Sequence, residues 1–312
     1  MEIILQNHSS YPGLGADADS QPQPANQRAL IDEILREQEQ TGIDVVTDGQ
    51  IQWHDPVSPI AGAIEGVGLG GLVRYCDTGR WVRRPVVTAA LRRPRSIFRD
   101  DFVYATQVSR LPVKPVLTGP YTLARLSAIE SGPYTGVAGL AHAFSEMLAA
   151  EVHDLAQAGA RYIQIDEPAI LLHPADIRLL RQLLEPLWNA RGGAELIVAT
   201  YGGDAEPLYA QLNSLPAGIL ALDFPNSSKL ADLIAATGAS KVLALGVVDG
   251  RKPRIEDAGA VARQVETILK RYVLESLHLL PSCGLQDLPR DSARAKLELL
   301  GRVRLVVQRH LE

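Results

Sequence analysis

The residues best placed to do chemistry are the adjacent carboxylates Asp166 and Glu167. Strand-forming residues Tyr162-Ile-Gln-Ile165 run straight into them, and Pro168 ends the run because proline lacks a backbone donor and cannot continue a ladder. Carboxylates at the C-terminal lip of a buried parallel strand stand where α/β proteins bind ligands and do acid–base work. The competing reading is structural, with Glu167 a carboxylate at a helix N-terminus and Asp166 a hydrogen-bond acceptor. The same pattern of apolar run and polar tip recurs along the chain. The tips carry His8 and Ser10, Asp48 and Gln50, Thr118, Thr200 and Tyr201, Asp223, Asp249 and Arg251, and Ser282 and Cys283.

Each tip has a plain explanation when taken singly. A threonine there bonds backbone, His8 is a satisfied structural residue, and Cys283 is a small buried hydrophobe. Together they describe a polar small-molecule site, because carboxylates at strand tips lose hydration unless something uses them. The expected catalytic groups are Asp48, Asp166 and Glu167. The expected substrate-binding groups are His8, Ser10, Gln50, Thr118, Tyr201, Asp249 and Arg251. Cys283 and Asp223 are the candidate metal ligands, with His8 and Asp166 also of acceptable type for zinc. No pair has the local spacing of a zinc motif, and the chain has no nucleophile elbow or phosphate loop.

These tips need elements to hold them. Eight β-rich runs fall at Glu2–Gln6, Asp44–Thr47, Pro115–Thr118, Arg161–Ile165, Glu195–Ala199, Gly218–Leu222, Lys241–Leu245 and Ser276–Leu280. Most are near-continuous apolar runs, as strands covered on both faces are. Helical patterns alternate with them at Asn26–Gln40, Ile97–Arg110, Val137–Ala158, Asp176–Asn189, Ala205–Ser214, Ser227–Ala236, Glu256–Tyr272 and Arg290–Gln308. Eight strand–helix units in one chain predict an α/β fold of the (β/α)8 TIM barrel type, residues 1–312 forming one domain. A doubly wound sheet is the alternative. Gly13-Leu-Gly15-Ala-Asp-Ala18 imitates a dinucleotide fingerprint, but Pro22 and Pro24 follow where its helix would open.

One connection is long. Residues 52–110 separate the second and third strands, and Asp77-Thr-Gly79 between alternating runs signals a β-hairpin at Leu72–Val87. A loop of this length is usually functional, and a mobile lid over the barrel mouth is expected. Cys76, within the hairpin, reads as a packed thiol.

Composition narrows the classes. A net charge of −5, with a single local basic cluster at Arg92, Arg93 and Arg95, argues against nucleic acid. No apolar run reaches membrane-spanning length, and the N-terminal residues do not read as a signal peptide. The 2 cysteines make no disulfide framework, which fits a cytoplasmic setting.

The residues now carry a resemblance. Gly42-Ile-Asp-Val-Val-Thr-Asp-Gly49, Lys114-Pro-Val-Leu-Thr-Gly-Pro120, Gln164-Ile-Asp-Glu-Pro-Ala169, Leu245-Gly-Val-Val-Asp-Gly-Arg251 and Pro281-Ser-Cys-Gly-Leu285, in this order, resemble the cobalamin-independent methionine synthase family and, more distantly, uroporphyrinogen decarboxylase-like barrels. The resemblance covers nearly the whole chain as a single barrel, where the common enzyme has two in tandem. It implies transfer of a methyl group from a methyltetrahydrofolate or corrinoid donor to a thiol such as homocysteine, activated as a zinc-bound thiolate. In the family that zinc is held by a His-x-Cys pair after strand five, a Glu after strand six and a Cys after strand eight. Cys283 matches the last, Asp223 stands at the Glu position, and Thr200-Tyr201-Gly202 replaces the pair. Asp166 matches the carboxylate that holds the substrate ammonium. Gln50 stands near a family Glu, and Arg290 near the place of a folate-stacking Trp.

Other segments, Ala199-Thr-Tyr-Gly202 and Leu215–Asp223 among them, look more like the family's N-terminal barrel, a diverged duplicate without zinc ligands. Three functions follow. The chain is an S-methyltransferase of methionine biosynthesis, alone or with a corrinoid protein. Or it is the non-catalytic partner of a separate, zinc-bearing methionine synthase barrel. Or it is a metal-free enzyme using paired carboxylates.

Overall fold

Runs of Val, Ile and Leu become strands where both faces are covered, and the chain alternates such runs with amphipathic helices. The computed structural model describes residues 1–13, 24–270 and 275–311. The elements are β1 (Glu2–Leu5), α1 (Pro24–Gln40), α2 (Ser58–Ala63), β2 (Glu65–Arg74), β3 (Trp81–Arg92), α3 (Arg99–Val108), β4 (Val116–Thr118), α4 (Pro120–Leu126), β5 (Ala128–Ile129) and α5 (Gly136–Gln157). There follow β6 (Tyr162–Asp166), α6 (Ile177–Ala190), β7 (Glu195–Thr200), α7 (Tyr209–Leu212), β8 (Ile219–Asp223), α8 (Leu230–Thr237), β9 (Val242–Val248), α9 (Ala258–Leu269), β10 (Ser276–Pro281) and α10 (Arg290–Leu311).

Seven strands form one sheet in the order β1-β10-β9-β8-β7-β6-β4. Within it β1, β10 and β9 pair in parallel, as do β4, β6 and β7. The eighth expected run, Asp44–Thr47, is not a continuous strand. It contributes parallel bridges, Val45 to Gln6 on one side and Val46 to Val113 on the other. Its first residue is diverted: the Asp44 carboxylate accepts the Leu5 amide at 2.7 Å and Arg304 at 2.7 Å. The fold class is α/β, of the (β/α)8 barrel type. The glycine-rich stretch Gly13–Ala18 lies outside the described residues beyond Gly13, and so does Tyr272 at the end of its expected helix.

The chain divides into two compact units. Unit 1 comprises Met1–Gln52, Tyr104–Lys114 and Ala221–Glu312. Here β1, β10 and β9 carry the buried apolar ladder, and α9 contributes Val261, Val265 and Ile268 to the core. Arg290 is held by Glu37 at 2.7 Å and Glu33 at 2.9 Å, which ties α10 to α1.

Unit 2 comprises Trp53–Val103 and Pro115–Leu220. Leu140, Phe144, Leu148, Val152 and Leu155 of α5 and Leu180, Leu183, Leu184 and Leu187 of α6 are buried at the spacing of a helix face. The hairpin is antiparallel and longer than expected, running from Glu65 to Arg92, and β3 also pairs with β5. The basic cluster supplies an internal fastening. Arg93 reaches Glu151 at 2.6 Å and Asp154 at 2.8 Å, while buried Glu151 also accepts the amides of Ile97 and Phe98 at 2.8 and 2.7 Å. The helix expected at Ala205–Ser214 is broken into a 3-10 turn, Glu206–Leu208, and the short α7, with Pro207 in the turn.

Candidate active site

The site residues fall into one group in each unit. In unit 2 they stand at the ends of β4, β6 and β7. Asp166 is 4% exposed and accepts hydrogen bonds from Gln164 Nε2 on Oδ1 at 2.7 Å and from the Tyr201 hydroxyl on Oδ2 at 3.0 Å. A donor on each carboxyl oxygen is the pattern of an ionised acceptor. Its neighbour is turned elsewhere. Glu167 is fully buried, and its carboxylate takes the amides of Tyr121 at 2.9 Å and Thr122 at 2.8 Å and the Thr122 hydroxyl at 2.6 Å. It thus satisfies the open amides at the start of α4. Gly119 is required beside it, because a Cβ there would run into the Glu167 carboxyl group. Burial pushes Glu167 up to about 7, with those hydrogen bonds pulling it back. These contacts favour the structural alternative for Glu167, an acceptor at the start of α4.

Thr118 likewise bonds backbone, donating to the Pro56 carbonyl at 2.7 Å. At the tip of β7 the Thr200 hydroxyl oxygen is buried, with no hydrogen-bond partner among the described residues. One unit 2 residue was missed by sequence reasoning: Tyr75, from the hairpin, meets the Tyr201 hydroxyl at 3.1 Å.

In unit 1, Asp223, Asp249, Arg251 and Cys283 come together. The Arg251 guanidinium lies 3.3 Å from Asp223 Oδ2 and 3.3 Å from Asp249 Oδ1, and Asn226 donates to Asp223 at 2.8 Å. The Ser282 hydroxyl accepts the Gly250 amide at 3.1 Å and lies against the Cys283 sulfur. Burial pushes the Cys283 thiol up to about 12; Arg251 pulls it down, and Asp223 and Asp249 add to the rise. The loop after Cys283 rests on the segment that follows β1, where the Leu285 amide donates to the Ser10 carbonyl at 3.0 Å. His8 is buried with Nδ1 2.9 Å from the Ser9 hydroxyl, and burial together with Lys114 holds it well below its ordinary pKa, so it is neutral. Asp48 folds back on its own turn, accepting the Gln50 amide at 3.0 Å, and Gln50 has a left-handed φ of 54°.

A zinc ion does not fit these donors. Among the described residues no three His, Cys, Asp or Glu side chains group as a metal site. At Asp223 and Cys283 a guanidinium already supplies the positive charge, and Thr200-Tyr201-Gly202 offers no thiolate or imidazole. Elemental analysis of purified protein is expected to find well under one zinc per chain, unchanged by Cys283→Ala. One tightly held zinc, lost on that substitution, would restore a conventional thiol-activating centre.

Comparisons with known proteins bear on this geometry. A family model described as the catalytic domain of cobalamin-independent synthase matches residues 15–304. A methionine synthase of Saccharolobus islandicus (strain L.S.2.15 / Lassen #1) is 30% identical over 287 residues, covering 91% of this chain and 84% of its own length. One from Sulfurisphaera tokodaii is 28% identical over 285 residues, covering 91% and 82%. Among solved structures, a B12-independent methionine synthase from Shewanella sp. W3-18-1 in complex with selenomethionine superposes with a TM-score of 0.84 at 22% identity, covering 100% of this chain and 99% of that one. A putative vitamin-B12 independent methionine synthase from Listeria monocytogenes gives a TM-score of 0.72 at 16% identity, covering 96% of each. The two solved structures speak for the fold.

Proposed function

The chain belongs to the family of the cobalamin-independent synthase catalytic domain, and on that premise we propose that it is an S-methyltransferase of methionine biosynthesis whose acceptor is a homocysteine-type thiol. In such a transfer a sulfur–methyl bond forms as the donor's bond to methyl breaks, and the thiol gives up its proton. The donor is methyltetrahydrofolate or a methylated corrinoid protein. Asp166 anchors the acceptor's ammonium, and this buried, doubly hydrogen-bonded carboxylate at the end of β6 is the observation that carries the reading. Tyr201 orients it. Within unit 1, His8, Ser10, Asp48, Gln50, Asp249 and Arg251 are read as substrate-binding groups, with Asp223 and Cys283 beside Arg251 and no step assigned to a metal. Residues 1–312 are read as one barrel domain, with 52–110 an insertion whose hairpin covers Asp166. Both cysteines are free, which supports a reducing cytoplasmic setting, and among the described residues no helix is long and apolar enough to cross a membrane.

Calorimetry with homocysteine, followed by transfer assays with each labelled donor, tests the reading. Homocysteine binding and transfer from one donor are expected. No thiol binding would sink it.

The poor fit of zinc favours a second reading, in which the chain is the partner of a separate zinc-bearing barrel. Transfer that appears only when such a barrel is added, with co-purification of the two, would establish it instead.

A further inference from the structure

The hairpin is open to solvent along much of its length and at its turn, yet one side chain beside the turn is not. Leu72 and Trp81 are 65% and 59% exposed, whereas Tyr75 is 1% exposed. The turn is tied so as to aim that ring inward. The Tyr75 amide donates to the Arg80 carbonyl at 2.8 Å, the Thr78 amide donates to the Tyr75 carbonyl at 3.2 Å, and Cys76 holds a left-handed φ of 51°. Such a conformation is uncommon for a residue other than glycine. The receiving surface is shaped to match. Gly202 has φ +78°, and a Cβ there would stand 3.1 Å from Thr78 Cγ2, so that the Thr78 side chain would have to give way slightly.

The hydroxyls then form a directed chain. Tyr201 donates to Asp166 Oδ2 at 3.0 Å. A phenol has one proton to give. With that proton on Asp166, Tyr201 can only accept in the 3.1 Å contact between the two tyrosines, so the Tyr75 hydroxyl, which also meets Thr118, is the donor there. Burial, with the nearby Asp166 charge, holds both phenols well above their ordinary pKa, so both remain neutral donors.

We propose that Tyr75, delivered by the hairpin tip, is a positioning residue of the amine subsite: by donating to Tyr201 it commits the Tyr201 proton to Asp166 and holds that carboxylate in one orientation for the ammonium of an amino-acid thiol. This rests on the reading of Asp166 as the ammonium anchor. It makes the insertion part of the specificity apparatus for primary amines.

The test uses Tyr75→Phe, Tyr201→Phe and the double variant, each keeping its ring. Calorimetry compares homocysteine with 4-mercaptobutyrate, the same thiol acid without the amine. Tyr75→Phe is expected to weaken homocysteine binding roughly threefold to tenfold, leave 4-mercaptobutyrate binding unchanged and barely move the melting temperature. Because it acts through Tyr201, it should add nothing in the Tyr201→Phe background. An equal loss for both ligands, additive effects or no effect would each overturn the proposal. A ligand-free arm follows protease cleavage in the exposed turn around Gly79. Both single variants should be cut faster than wild type, and unchanged rates would refute the anchoring of the tip. Wild-type protein that binds neither thiol overturns the substrate reading; wild-type protein that binds homocysteine, with Tyr75→Phe unchanged, overturns the role of Tyr75 alone.

Discussion

Asp166→Asn is expected to keep the fold and to weaken binding of an amino-acid thiol by roughly ten- to a hundredfold, since a charge-assisted hydrogen bond is worth about 1.5–3 kcal/mol. Asparagine has the same shape and retains one oxygen acceptor. Its amide group would face either Gln164 or Tyr201, and the Tyr201 hydroxyl can turn to accept from it. The fold therefore adjusts at small cost, while the ammonium loses its counter-charge. Melting temperature and homocysteine affinity measured on the same variant separate the roles. A lowered melting temperature with intact binding would assign Asp166 to the scaffold and move the site elsewhere.

Glu167→Ala should do the reverse. It leaves the amides of Tyr121 and Thr122 and the Thr122 hydroxyl without their acceptor in a buried place. Unsatisfied buried donors, each worth about 1–3 kcal/mol, together with the void, make a loss on the order of 3–5 kcal/mol of unfolding free energy. Its pH signature is equally specific. The folded-state pKa of Glu167 is about 7 against an ordinary value of 4.5, so across that window the native chain keeps a proton that the unfolded chain sheds. The stability this group contributes is present below about 4.5 and is lost as pH rises through about 7. Urea unfolding at about pH 5 and about pH 8, on either side of the folded value, should show wild type losing more stability over that interval than Glu167→Gln. Equal losses in the two proteins would refute the buried-acid account.

The different surroundings of these neighbours were partly legible. Successive side chains of a strand point to opposite faces, so Asp166 and Glu167 could not both face one ligand. The sequence shows that they adjoin but does not say which side chain meets a helix start; that depended on α4 arriving beside Glu167. The strand runs were legible because apolar β-branched stretches have few other uses, and the Asp77-Thr-Gly79 turn announced its hairpin. Asp44–Thr47 fell short of a strand because the Asp44 side chain competes for the Leu5 amide. Tyr75 was invisible, since 126 residues separate it from Tyr201 and no local spacing records the meeting. The pairing of Arg251 with Asp223 likewise depends on two strand ends, β8 and β9, and on the conformation of the loop after β9.

The interleaving of the two units has a consequence for synthesis. Every segment of unit 2 has left the ribosome once Leu220 emerges, but unit 1 still lacks everything from Ala221 onward. Its first strand pairs with its last, Glu2 with Ser276 through Leu5 with Leu279. Ile3, Ile4 and Leu5 must therefore wait, until Ser276–Leu279 have been made, for the neighbour that will cover them. Pairings so distant in sequence are slow to form and leave apolar edges open to other chains. The vulnerable interval is the elongation from Ala221 to Leu279, when a pause would hold an unpaired β1 in reach of aggregation or of a chaperone.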